Sequence, residues 1–84
     1  MAKVEIYITP VCPYCIRAKA LLDKRGVAYE ETNVMMDGAK RQEMQKRSGR
    51  HTVPQIFIND KAIGGCDELF ELDMDGDLDG LLNG

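Results

Sequence analysis

The sequence lacks any run of about 18 apolar residues, the length that a membrane-spanning helix needs. Its first residues have no apolar core of a secretory signal, and three cysteines are too few for a secreted scaffold held together by disulfides. We therefore expect a protein of the reducing cytoplasm, without membrane contact. In that setting, closely spaced cysteines are catalytic or bind a metal more often than they are structural.

Basic residues are absent after position 66, although seven of the 14 acidic residues lie there. All 11 lysines and arginines fall in the first 66 positions, which therefore carry a net positive charge. A nucleic-acid reader is normally more basic and has no such acidic tail, so we expect no nucleic-acid partner. The basic part also contains the cysteines, which favours a small anionic substrate near them. The alternative is that these charges only solvate helix faces.

The hydrophobic pattern predicts alternating strands and helices. Residues 3–8 alternate like a half-buried strand, and residues 13–25 have the apolar face of a helix that Gly26 ends. The pattern further predicts a strand over 27–34, a helix over 38–48 with Ala39 and Met44 inward, strands over 55–58 and 61–63, and short helices over 67–73 and 77–83. This β-α-β-α-β-β-α order, with a last short helix, predicts one α/β domain over 1–84, a small four-stranded mixed sheet flanked by helices.

The stretch Cys12-Pro13-Tyr14-Cys15 stands where the first strand gives way to the first helix. Pro13 suits the first helical position, where its missing N–H costs nothing. Cys12 then lies against unpaired backbone donors and the positive end of the helix dipole, which favour the thiolate, the nucleophile of disulfide exchange. Lys19 and Arg17 either add positive potential there or point to solvent. A zinc half-site is the alternative interpretation of the cysteine pair.

With Thr52-Val53-Pro54 and Gly64-Gly65-Cys66-Asp67, this motif makes the chain resemble the glutaredoxins, specifically the small bacterial dithiol kind, over nearly its whole length. The resemblance implies a thioredoxin fold and a thiol–disulfide oxidoreductase that uses glutathione as reducing co-substrate and needs no metal. It implies that Cys12 is exposed and attacks the disulfide between a protein and glutathione. Cys15, more buried, is implied to attack Cys12 when a protein disulfide is reduced.

The resemblance also implies a glutathione site around the cysteines. It implies a cis bond between Val53 and Pro54, with the Val53 backbone open to pair with glutathione as a short extra strand. The backbone N–H groups of Cys66 and Asp67 open the next helix and suit a carboxylate, and the Asp67 side chain is implied to pair with the γ-glutamyl ammonium. Arg41 is implied to lie near the glycine carboxylate, where the family often has glutamine or a basic residue. Thr9 stands where many relatives have lysine, so this carboxylate is either bound more weakly, bound by Arg41, or given a hydrogen bond by Thr9. The implied glutathione-binding residues are Tyr14, Arg41, Thr52, Val53, Pro54, Gly65, Cys66 and Asp67.

Two other functions remain open at this point. One is a metal or iron–sulfur carrier, against which Pro13 and Tyr14 argue. The other is a thioredoxin-like carrier recycled by a flavoprotein reductase, but typical thioredoxins carry Trp-Cys-Gly-Pro-Cys and this chain has no tryptophan. Cys66 is expected to be a partly buried filler, or else a regulatory or dimer-forming thiol. The resemblance implies a monomer whose partners are glutathionylated or disulfide-bonded proteins such as ribonucleotide reductase.

Overall fold

The structure, a computed structural model, describes residues 2–83. Its elements are β1 (Val4–Ile8), α1 (Pro13–Lys24), β2 (Glu30–Asn33), α2 (Gly38–Ser48), β3 (Gln55–Ile58), β4 (Lys61–Gly64), α3 (Cys66–Met74) and α4 (Asp77–Asn83). This order confirms the predicted one, including the last short helix. Among these helices, none is both long and apolar enough to cross a membrane.

The four strands form one mixed sheet in the order β2-β1-β3-β4. β1 runs parallel to β2 and antiparallel to β3, and β3 is antiparallel to β4. Only β2 is clearly shorter than predicted, with four residues. The reason is that the Val27 N–H donates to the Leu22 carbonyl at 3.0 Å, so this part of the chain closes the turn after α1 instead of pairing with β1.

Alternation along the strands divides the buried side chains between two faces of the sheet. The first face carries Val4, Ile6 and Ile8 and packs against α1, α3 and α4 in the larger core cluster. The second carries Tyr7 and Phe57, whose rings meet edge to face with centroids 5.6 Å apart. α2 covers this second face, so the predicted placement of helices on both faces is confirmed.

Met44 is the buried residue of α2, as predicted, but the prediction for Ala39 is wrong because Ala39 is exposed. The two are five positions apart, and at about 100° of helical rotation per residue they point to different sides of the helix.

An ion pair attaches the otherwise polar α2 to the sheet. The Arg47 guanidinium donates to both carboxylate oxygens of Glu5 at 3.0 Å and to the Tyr7 hydroxyl at 2.8 Å. It also lies 4.0 Å from the ring centroid of Phe57. These hydrogen bonds hold the pKa of Glu5 below its ordinary value, although burial acts in the opposite direction. The ion pair of Arg47 and its stacking on Phe57 thus stabilise the packing of α2 on the sheet, because the helix has few apolar residues to do so.

Candidate active site

Cys12 and Cys15 lie together at the start of α1. Cys12 is the N-cap residue and Pro13 is the first residue of the helix, as predicted. The Cys15 backbone N–H donates to Cys12 Sγ at 3.1 Å. One of the otherwise unpaired donors of the helix, together with the positive end of its dipole, therefore stabilises negative charge on this sulfur.

The expectation that Cys12 is exposed is wrong, because only 9% of the residue is accessible. Its side chain turns inward toward the loop before β3, where Sγ lies 3.7 Å from the Val53 carbonyl oxygen and, as a thiol, donates to it. A disulfide substrate must therefore reach the sulfur beside this loop.

Cys15 is more deeply buried, as expected, with 1% accessibility. Burial first, and then its contact with Cys12, raise the pKa of Cys15 to about 12. It remains a thiol at neutral pH and is a poor first nucleophile there.

The two cations on α1 make contacts of their own. Lys19 Nζ pairs with Glu31 at 2.6 Å, which raises the pKa of Lys19, and the Arg17 guanidinium lies 5.5 Å from the centroid of the Phe70 ring. The structure therefore engages both cations in local contacts, and neither contact involves Cys12.

A cavity of about 210 Å³ opens beside the cysteines. The peptide bond between Val53 and Pro54 at its wall is cis, as the resemblance implied. Within residues 2–83 the Val53 backbone N–H has no hydrogen-bond acceptor. The cavity is lined by Tyr14, Arg50, Thr52, Val53, Pro54, Gly65, Cys66, Asp67 and Glu68. The fold thus brings seven of the eight suggested glutathione-binding residues to one cavity.

The turn from β4 into α3 forms the second wall of the cavity. Gly65 is the N-cap of α3, so the backbone N–H groups of Cys66 and Asp67 belong to the first turn of the helix. A Cβ added to Gly65 would lie 3.2 Å from the Pro54 carbonyl oxygen. A glycine is therefore needed for this wall to approach the loop of the cis peptide so closely.

Arg50 and Glu68 also line the cavity, although the sequence did not predict a place for them there. Glu68 Oε1 accepts both the Gly65 N–H and Arg50 Nη1, each at 2.7 Å, and so joins the two walls. The Gly65 N–H first, and then Arg50, lower the pKa of Glu68. The sequence held only weak signals for these two residues. Arg50 lies outside the Thr52-Val53-Pro54 motif, two residues before it. Glu68 completes a capping box, but a glycine N-cap has no side chain, so only the carboxylate half of that box is visible in the sequence.

Arg41 is the suggested glutathione-binding residue that the structure does not bring to the cavity lining. Its Nη1 instead donates to the His51 carbonyl oxygen at 3.5 Å, so the side chain supports the backbone of the loop. Thr9 takes part through its carbonyl oxygen, which accepts the Cys12 N–H at 3.4 Å.

Cys66 lines the cavity with 5% accessibility, and burial raises the pKa of its thiol. This placement is consistent with the filler expected from the sequence. Within residues 2–83, no group of three or more histidines, cysteines or acidic residues gathers in a way that could hold a metal ion.

Two cysteines at the N-terminus of the first helix, next to a cis-proline loop in a four-stranded mixed sheet, are the arrangement of a thiol–disulfide oxidoreductase of the thioredoxin fold. Residues 4–63 match the glutaredoxin family model. The chain is 60% identical over 82 residues to Glutaredoxin 3 of Escherichia coli strain K12, which covers 98% of this chain and 99% of that protein. The chain therefore belongs to the glutaredoxin family.

Solved structures agree with this assignment. The solution structure of glutaredoxin from Brucella melitensis is 51% identical with a TM-score of 0.86, over 98% of this chain and 89% of that one. The crystal structure of a buckwheat glutaredoxin–glutathione complex is 32% identical with a TM-score of 0.89, over 98% of this chain and 77% of that one.

Proposed function

We propose that the chain is a glutathione-dependent thiol–disulfide oxidoreductase with Cys12 as its nucleophile. The observation that carries the proposal is the position of Cys12 Sγ, which accepts a helix N-terminal N–H at 3.1 Å and lies beside the cavity wall at Val53. Negative charge on this sulfur is stabilised where a disulfide can approach. Membership of the glutaredoxin family, and the glutathione complex of the buckwheat relative, support glutathione as the reductant.

The monothiol route uses Cys12 alone. The Cys12 thiolate attacks the glutathione sulfur of a protein–glutathione mixed disulfide, and the protein thiolate leaves and takes a proton from solvent. The new disulfide joins Cys12 to glutathione. A second glutathione thiolate then attacks the glutathione sulfur of this disulfide, which releases oxidised glutathione and restores the Cys12 thiolate.

The dithiol route adds Cys15. Cys12 attacks a protein disulfide and forms a mixed disulfide, and Cys15 then loses its proton and attacks Cys12 Sγ. The protein leaves with both thiols reduced, a Cys12–Cys15 disulfide forms, and two glutathione molecules reduce it in turn. Because burial raises the pKa of Cys15 to about 12, Cys15 is expected to act second.

The cavity supplies groups that match glutathione along its length. The unpaired Val53 N–H and the Val53 carbonyl suit the cysteinyl backbone of glutathione. The N–H groups of Cys66 and Asp67 suit the γ-glutamyl carboxylate, and the Asp67 carboxylate suits the neighbouring ammonium. Because Glu68 is already bonded to Gly65 and Arg50, its charge is balanced and does not oppose this carboxylate.

The partners follow from the same chemistry. We propose that the enzyme acts as a monomer in the reducing cytoplasm, on glutathionylated proteins and on disulfides such as that of ribonucleotide reductase. The support is the family and the small number of cysteines in the chain.

The test compares wild type, Cys12→Ser and Cys15→Ser in glutathione-dependent reduction of a small glutathione mixed disulfide and of a protein disulfide. We expect wild type to reduce both and Cys12→Ser neither. Cys15→Ser should retain the first activity and lose the second. Activity of Cys12→Ser on the small mixed disulfide would contradict the mechanism.

A further inference from the structure

A second and larger cavity, of about 390 Å³, lies along the free edge of the sheet, between β4 and the helices α3 and α4. We call it the edge groove. Ala62 and Ile63 of β4, Leu72 of α3 and Leu81 of α4 give it apolar walls. In the part of the chain that the structure describes, β4 pairs only with β3, so its outer backbone groups are available to another extended segment.

The rim of the edge groove is acidic. Glu71 and Asp75 are exposed there and have no ion-pair partner within residues 2–83. Asp75 is the C-cap of α3, where the helix dipole disfavours negative charge, and the last turn of α3 has no basic residue. Asp73, by contrast, pairs with Arg25. The rim carboxylates therefore do not stabilise the C-terminal end of α3, and they remain available to external cations.

The edge groove adjoins the cavity beside Cys12 at Glu68, the residue that lines both. From Glu68 to Asp75 the helix rises about 10 Å, a distance that about three residues of an extended peptide cover. A peptide whose cysteine reacts at Cys12 can thus place neighbouring residues along the rim.

We propose that the edge groove binds an extended, lysine- or arginine-bearing segment that flanks the reactive cysteine of a protein substrate. Its backbone pairs with the edge of β4, and its cations meet Glu71 and Asp75. The proposal rests on the proposed function, since it names the partner of the same reaction. A symmetric contact with the same groove of a second copy is disfavoured, because residues 67–84 contain seven acids and no base, and two such rims repel each other. Lys61 lines the groove as its one base among the described residues.

The kinetic test uses two synthetic peptides, each glutathionylated at a central cysteine. One has lysines roughly three to six residues to either side of the cysteine, and its match has glutamates there. We expect wild type to prefer the lysine peptide in kcat/KM by about tenfold at low salt, with the preference falling as salt is added. Glu71→Lys and Asp75→Lys should each remove most of the preference and leave kcat/KM for a small glutathione mixed disulfide unchanged.

Glu30→Lys is the matched control, because it makes the same charge change at an exposed site on β2, the opposite edge of the sheet. It should keep the preference. Preference retained in both groove variants, or lost equally in Glu30→Lys, would overturn the proposal. Inactivity of wild type on the small mixed disulfide would instead refute the proposed function.

Binding can also be measured without catalysis. The lysine peptide with serine in place of cysteine is titrated into ¹⁵N-labelled wild type. We expect amide shifts in residues 61–63 and 71–75 that Glu71→Lys weakens. Shifts confined to other surfaces would overturn the proposal, whatever the enzyme assay gives.

Discussion

Burial controls the protonation of Cys15, the second cysteine of the pair at the start of α1. Cys15 is almost inaccessible, and burial is the largest cause of its raised pKa, with Cys12 the next. Removal of Cys12 therefore lowers the pKa of Cys15 but leaves it above that of a free cysteine. Cys12→Ser combined with Cys66→Ser isolates this thiol.

In that double variant, we expect the ultraviolet absorbance of the thiolate to appear below about pH 12 but above the ordinary range for cysteine, near pH 8.5. The alkylation rate should follow the same curve, rising about tenfold per pH unit on its acid side. A thiol that titrates in the ordinary range would show that burial does not control Cys15.

Gly65 is the residue whose missing side chain matters most for the cavity. An alanine there places its Cβ 3.2 Å from the Pro54 carbonyl oxygen, so one wall of the cavity has to move by a few tenths of an ångström. We expect Gly65→Ala to raise KM for glutathione substrates several-fold with a smaller change in kcat, because the methyl group occupies the wall that meets the ligand. Steady-state kinetics on a small glutathione mixed disulfide measures this.

Gly80→Ala is the matched control. Gly80 lies within α4, and an added Cβ meets nothing within 4 Å. It should leave KM unchanged and stabilise the protein by about 0.5–1 kcal/mol through helix propensity. An equal rise of KM in both variants would mean that the Gly65 effect is not local to the cavity.

At the scale of elements, the attachment of α2 depends on Arg47. Glu5 and Arg47 are largely shielded from water, with 17% and 25% of their side chains exposed. Arg47→Met keeps an apolar stem over Phe57 but leaves the Glu5 carboxylate with only the longer, more exposed pair that it makes with Lys3 at 3.8 Å. We expect the free energy of unfolding to fall by about 2 kcal/mol, discounted for this partial exposure, as measured by chemical denaturation.

Lys40→Met removes an exposed pair with Glu43, at 3.7 Å on the same helix, and should leave the free energy of unfolding essentially unchanged.

The Arg47 effect should also depend on pH. Because the pKa of Glu5 is lower in the folded protein, its contribution is present above the unfolded value of 4.5 and is lost as the pH falls through the folded value. The difference between wild type and Arg47→Met should therefore shrink in acid. A constant difference would contradict this account.

The sequence predicted the helix ends but not the contacts between elements. Helix ends depend on neighbouring residues, whereas these contacts join residues far apart in the chain. The start of α1 at Pro13 and the end of α2 at Gly49, which has a φ of 75°, follow local rules of capping, and both were predicted. The contact of Arg47 with Glu5 joins residues 42 positions apart, and Arg50 meets Glu68 across 18 positions. No local pattern contains such pairs, so the attachment of α2 and the joined walls of the cavity emerged only with the fold.

The same distinction applies to Cys12. Its N-cap position is a local property and was predicted, whereas its low accessibility depends on Val53, which is 41 residues away in the sequence. The motif residues could be assigned to one site through the resemblance. Arg41 could not be excluded from the cavity lining, since its side-chain direction depends on the loop at His51.

At the scale of the whole molecule, the C-terminal helices belong to the main core although the family model ends at residue 63. Leu69 and Leu78 are buried in the same cluster as Val4 and Ile6. The Ala2 N–H donates to the Leu82 carbonyl at 3.3 Å, which ties the two ends of the described chain together. These contacts favour the single domain that the sequence predicts.

Leu78→Ala tests whether α4 unfolds with the rest. Leu78 is 1% exposed, so its truncation leaves a cavity in the shared core, and we expect the free energy of unfolding to fall by about 2–4 kcal/mol. If the chain is one cooperative unit, far-ultraviolet circular dichroism and tyrosine fluorescence will give the same denaturant midpoint in wild type, and both will shift together in the variant.

Met74→Ala is the control, at a residue 84% exposed on α3, and should change the free energy of unfolding by no more than about 0.5 kcal/mol with either probe. Separate midpoints for the two probes, or no loss in Leu78→Ala, would mean that α4 is an appendage, because a helix outside the cooperative core can lose its buried leucine without destabilising the sheet.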